Sequence, residues 1–135
     1  MDDLEFLKSR VPKFATYEEE RDRHLADKQV RAFVGETLAI LRQRLEGEFS
    51  QVLSAQLERI MLRCEFSDPK FANAIQGPLT REDIDRLYGA DRALFEDAIA
   101  IAADALREDH DDLVKRLADL ERHFDRRASI LHPWV

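Results

Sequence analysis

Cysteine occurs once, at Cys64, asparagine once, at Asn73, and glycine and proline four times each among 135 residues. So little turn chemistry excludes a fold of many short strands and favours helices with few joints. A single cysteine closes no disulfide within the chain and cannot supply a zinc site built on several thiolates. The glycines, at 35, 47, 77 and 89, stand too far apart for a dinucleotide fingerprint or a phosphate loop. No Gly-x-Ser-x-Gly is present either. No apolar run approaches the ~20 residues of a membrane-spanning helix. The opening MDDLEFLKSR has neither the positive nor the apolar region of a secretory signal. A soluble, cytoplasmic protein is the expectation.

Positive charge is also short. Lys and Arg number 21 against 28 Asp and Glu, a formal net charge of −7. Arg81–Asp112 holds eleven acids and four arginines, which leaves seventeen charges of each sign elsewhere. The excess acid therefore lies in one stretch. Without a cationic stripe the chain has no footprint for displacing counterions from phosphates, so nucleic acid is excluded as a partner. Anionic membrane surfaces are disfavoured on the same ground.

What is present in quantity is helical periodicity. From Val30 apolar residues recur at 34, 38, 41, 45, 49, 53, 57, 60 and 64, in steps of three or four. Thr16-Tyr17-Glu18-Glu19 has the form of a capping box, which places a helix start near Tyr17. Gly47 interrupts the line without shifting its phase. It reads either as the cap of a helical hairpin or as a glycine tolerated inside one helix, and the short spacing favours continuity to Cys64. One helix over residues 17–64 would run ~72 Å, more than a compact chain of this length can bury. Kinking, breaking or association with a second copy would resolve the excess.

Residues 1–15 read as an arm docking on the body. Asp68-Pro69 predicts an N-cap with proline in the first turn, and Gly77-Pro78 a stop. Thr80-Arg81-Glu82-Asp83 is a second capping pattern, Gly89 fits a C-terminal cap with Asp91 as a restart, and Asp109 caps a last helix. The stretch 92–107 is apolar around most of its circumference, which suits a central helix or a subunit interface. The tail, residues 129–135, is apolar and carries the single tryptophan, Trp134. The reading is one all-α domain, a helical bundle on a long N-terminal helix with shorter helices over 69–128.

Chemistry-bearing patterns are sparse. Asp97, Asp104, Glu108 and Asp111 share one helical face at spacings of seven, four and three, and could hold Mg²⁺ or Ca²⁺ if another helix added oxygens. A solvated acidic strip is the simpler account. The acids at 18–20 invite comparison with the all-α nucleotide pyrophosphohydrolases. Their Glu-Glu-x-x-Glu helix fails here because Arg23 stands at the last position. None of the four histidines has Glu three residues before it, which removes the usual di-iron bundle. No cofactor is implied. The function expected is a non-enzymatic interaction or assembly module, a homodimer, with a further protein partner possible. It would act through apolar helix faces (Ile99, Ala103, Leu131, Trp134), with the acidic 81–112 region selecting the partner. A small metal-dependent enzyme using the Asp97 row is the alternative.

Overall fold

The computed structural model describes residues 1–44 and 51–131. Among them the regular structure is entirely helical, as the patterning predicts: α1 (Asp3–Arg10), α2 (Arg23–Arg44), α3 (Gln51–Glu65), α4 (Pro69–Ala74), α5 (Arg81–Asp104) and α6 (His110–Ser129). Single 3₁₀ turns precede α2 at Glu20–Asp22 and follow α5 at Ala105–Arg107.

The long stripe is divided between two helices. Arg31 Nη1 donates to the Cys64 carbonyl at 3.1 Å, and a Cβ placed on Gly35 would lie 3.2 Å from that of Cys64. In one straight helix these two residues would stand about 44 Å apart, so continuity from residue 17 to 64 is overturned. Folding back lets Val34, Leu38 and Leu41 of α2 bury themselves against Leu57, Ile60 and Cys64 of α3 in one core. A lone helix would have left that face wet. Gly47 itself lies outside the described residues. Gly35 is the glycine the packing uses, since the lack of a side chain brings the two backbones together.

α2, α3, α5 and α6 form a four-helix bundle in which sequence neighbours run antiparallel. Phe33 of α2 stacks on Phe95 of α5 with centroids 4.1 Å apart, and Arg44 reaches the Ala102 carbonyl, so α2 and α5 are parallel. Gln56, Arg59 and Arg63 of α3 meet Val114, Glu121 and Asp125 of α6 in ascending order, so that pair is parallel too. The link from α3 to α5 therefore crosses one end of the bundle, and α4 lies in it. Asp68 caps α4 by accepting from the Lys70 and Phe71 amides, and Phe71 and Ile75 are buried. Buried Arg23 donates to the carbonyls of Tyr17, Ile75 and Gly77, supplying partners to backbone that no helix satisfies.

Two capping readings need correction. Thr16 opens no helix: it sits in the left-handed region at φ 67, and regular structure starts only at Glu20. Tyr17 is instead pulled into the core with no exposed surface, and Gln29 holds the preceding turn by bonding both Lys13 and Ala15. Gly89 ends nothing, because α5 continues to Asp104. A Cβ there would stand 3.4 Å from Asp3 Oδ2, which places Gly89 where α1 crosses α5. Within residues 1–15, Asp3–Arg10 form a helix capped by Asp2, with Leu7 buried. The boxes at Thr80 and the cap at Asp109 form as read. α5 is packed by α1, α2 and α6, which buries Leu94, Phe95, Ala98 and Ile101, while Glu96, Ala103 and Leu106 stay exposed.

Glu18, freed from capping, receives a two-pronged bond from Arg81 at 2.5 and 3.0 Å and the hydroxyl of Tyr88 at 2.6 Å. Hydrogen bonds from Arg81 and then Tyr88 hold its carboxyl below the ordinary value of 4.5. A depressed carboxylate stabilises the fold above the unfolded value and loses that contribution as pH falls through the folded one. Glu18→Gln should therefore lower the denaturation midpoint at neutral pH and converge with the parent as pH falls through the folded carboxyl's value; a constant offset from neutral to acid pH would contradict the clamp. The fold-back has a covalent test. Gly35→Cys should oxidise to an intramolecular disulfide with Cys64, seen by mass and by a faster-migrating band, since the two Cβ positions are near bridging distance. A straight helix would allow only intermolecular dimers.

Candidate functional site

Besides Arg23, charged side chains occupy core-facing positions on three helices. Asp27 of α2, Asp91 of α5 and Arg127 of α6 are 2%, 0% and 4% exposed. Each follows the apolar register of its helix: Leu117, Leu120, Phe124 and then Arg127 is a 3–4–3 line on α6. Arg127 Nε meets Asp91 Oδ1 at 2.6 Å, its Nη1 lies 2.8 Å from Asp27 Oδ1, and its Nη2 donates to the Tyr17 hydroxyl at 3.0 Å. Tyr17 in turn donates to Asp91 Oδ2 at 2.5 Å. Asp27 Oδ2 also takes Nε of Arg31 at 3.1 Å. Burial by itself would lower the Arg127 guanidinium, but Asp91, Tyr17 and Asp27 more than offset it and hold it well above its ordinary value. Burial, followed by Asp91, raises Tyr17 well above its ordinary value. Both groups stay protonated at any physiological pH, so the cluster is a fixed polar knot.

The knot forms the back of a half-open cavity of about 340 Å³ between α3, α4 and α6. The Arg127 guanidinium lies 4.3 Å over the ring of Phe71, and that of Arg63 lies 5.2 Å over Phe124. Leu62 and Phe66 stand on the rim, 54% and 65% exposed. Cys64, beside this region, is 8% exposed. Burial pushes its thiol up to about 12 against the opposing fields of Arg31, Arg127 and Arg63. Burial of this kind disfavours the thiolate and suits a packing residue.

From the rim the outer side of α3 continues as a second apolar line. Val52, Ala55, Leu62 and Phe66 are exposed, with Arg59 between them, at spacings of three and four. Residues 53, 57, 60 and 64 already form the buried side, so α3 is apolar on two nearly opposite faces. Arg59 is drawn aside by Glu121 of α6 at 3.0 Å.

The residues singled out from sequence do not converge on this place. Ile99 is half-buried, Ala103 is exposed on α5, and Leu131 packs partly against the core just past α6. Trp134 lies outside the described residues. Of the acidic row, Asp104 and Glu108 both bind Arg116 of α6. Asp97 faces His123 Nε2 at 3.6 Å, and burial pushes its carboxyl above the ordinary value, with His123 and Arg116 opposing. Asp111 is exposed in the first turn of α6. Asp97, Asp104 and Glu108 thus pair with cationic residues of α6, and among the described residues no group of three potential ligands gathers into a metal site. The residues that do converge, Arg31, Arg63 and Arg127, were missed. Arg127 was legible: an arginine on the core line of one helix, with aspartates on the core lines of two others, signals an internal ion pair.

No protein-family model matches this chain, and no curated protein or solved structure is significantly similar to it. Among the described residues no helix is long and apolar enough to cross a membrane.

Removing one member of the knot leaves buried charge without a partner. Arg127→Met should cost about 3–5 kcal/mol of stability, measured by chemical denaturation. Adding Asp91→Leu should recover part of that loss. A single-variant loss below about 1 kcal/mol would place the knot among interactions of surface strength.

Proposed function

We propose that this chain is a non-enzymatic helical interaction module that associates with a second copy of itself through the outer face of α3. The observation that carries the reading is the doubled amphipathicity of that helix. One apolar line satisfies its own bundle, and the other, Val52, Ala55, Leu62 and Phe66, faces water. An exposed line at this spacing is the pattern by which helices pair.

Charge favours a particular orientation. Glu58 and Glu65 flank the line on one side and Arg63 on the other. Two copies of α3 set parallel bring Glu58 toward the Arg63 of the opposite copy, and an antiparallel pair sets glutamates against glutamates. A parallel pair about a two-fold axis is closed, so association stops at two. The line spans about two heptads, which is at the small end of specific interfaces, so the dimer is weak and concentration-dependent.

The acidic stretch 81–112 has a lesser part in partner choice than its composition suggests. Seven of its eleven carboxylates are engaged by Arg81, Arg86, Arg92, Arg116, His123 and Arg127 of the same chain.

Light scattering after size exclusion, run from micromolar to millimolar concentration, should show the mass rising from 15.7 kDa toward twice that value. Leu62→Glu should hold the mass at that of the monomer while leaving the melting temperature within a few degrees, because Leu62 is 54% exposed. A parent chain that stays monomeric throughout, or a variant that associates like the parent, would refute self-association through α3.

A further inference from the structure

We propose that Asp97 and His123 form a pH-sensitive latch between α5 and α6, a pair that takes up one proton as pH falls from about 8 to about 6 and then draws the two helices together. His123 Nε2 stands 3.6 Å from Asp97 Oδ2. That gap is short enough for an ion pair and too long for a hydrogen bond. The two side chains are 27% and 22% exposed, so the space between them is partly withdrawn from water. Asp97 Oδ2 itself is shut off from solvent and has no hydrogen-bond partner. A carboxylate oxygen left in that state is costly, and a charged donor at closing distance removes the cost.

The charge balance at this boundary is short of one positive group. Asp97, Asp104 and Glu108 set three carboxylates against α6. Arg116 bonds Asp104 and Glu108 through Nη1 and acts on Asp97 through its field. Glu108 keeps a second buried oxygen, Oε2, without a partner. The described residues gather no metal-binding group here, and histidine is the side chain whose charge changes between about pH 5 and 8. His123 is therefore the group that can redress the balance in that range.

The other charges around the ring are engaged elsewhere. α6 is packed by α5, α3 and α4. On α6 itself Asp119, one turn before His123, bonds Arg122. Arg127, one turn after, is held by Asp91 and Asp27, and Arg126 is exposed. α3 meets the other flank of α6, where Arg59 and Arg63 pair with Glu121 and Asp125. α4 turns Phe71 to Arg127, and its Lys70 is exposed. From α5 the carboxylate that reaches the ring is Asp97. Burial raises that carboxyl, with His123 and then Arg116 opposing. Its ionised form thus weakens the fold at neutral pH, and the cost is relieved as pH falls. Interacting sites of this kind take up the proton as a pair. The sign is opposite to that of Glu18, and the Arg127 knot at the other end of the same two helices stays fixed.

The test is a double-mutant cycle on the full chain: Asp97→Asn, His123→Gln and both together, each unfolded in urea at about pH 8 and about pH 6. The remaining histidines are common to all four proteins and cancel in the cycle. At the lower pH the effect of Asp97→Asn on the unfolding constant should differ about threefold between the parent and the His123→Gln background, the size of a partly exposed ion pair, in the direction that Asp97 stabilises the parent. At the higher pH that factor should fall toward unity. Both positions are partly exposed, so neither substitution threatens the fold. A factor equal at the two pH values, larger at the higher one, or absent at the lower one would overturn the latch. Asp119→Asn, cycled with His123→Gln in the same way, separates the two carboxylates. Coupling as large as that of Asp97 would assign the ring to its own helix and overturn the contact across the boundary.

Discussion

A guanidinium withdrawn from water must meet carboxylates, and the bundle is arranged so that Arg127 meets two of them. Asp27 comes from α2, Asp91 from α5 and the Tyr17 hydroxyl from the segment before α2, so one side chain of α6 ties together three parts of the chain. The desolvation of these groups is a large cost that only near-ideal geometry offsets. The gain from such an arrangement is uniqueness more than stability. Any slip of α6 by one residue against α5 would part Arg127 from Asp91 and bury both charges without partners.

The rest of the architecture follows from that end of the molecule. The link from α3 to α5 must cross the bundle diagonally, and it crosses over the knot. Phe71 of α4 closes the knot from water, and Arg23 serves the carbonyls that the crossing leaves without helical partners. At the other end, the seam of Asp97, Asp104 and Glu108 with His123 and Arg116 is partly exposed, where salt screens each pair and the individual contributions are small. Of the α5 acids, Asp91, Asp97 and Asp104 pair with α6, while Glu82, Asp85 and Glu96 pair with arginines one turn away on α5 itself. The same chemistry as in the core, carboxylate to arginine, carries very different energies at the two ends because the dielectric surroundings differ.

Shutting the knot away also creates the feature of greatest functional interest. Covering it with α4 from one side and α3 from another leaves a recess beside Arg31, Arg63 and Arg127. The outer line of α3 runs into the rim of that recess at Leu62 and Phe66. Surface apolar residues scattered singly need no explanation; these are aligned at helical spacing and continuous with a cavity.

Local chemistry was readable from the residues alone. Aspartate before proline at 68, threonine three residues before aspartate at 80, and aspartate at 109 each cap a helix, because a cap is settled within one turn of chain. The core lines were readable for the same reason: a 3–4 spacing marks one side of a helix whatever it packs against. Thr16 and Gly89 misled because the same local patterns were outbid by distant partners, Tyr88 and Arg81 for the segment at 16–18 and α1 for Gly89. The direction of α3, the burial of Asp91 and Arg127 in contact with each other, and the recess beside them were settled only by tertiary structure. Periodicity states which residues seek cover. Which helix supplies it depends on contacts between residues far apart in the chain.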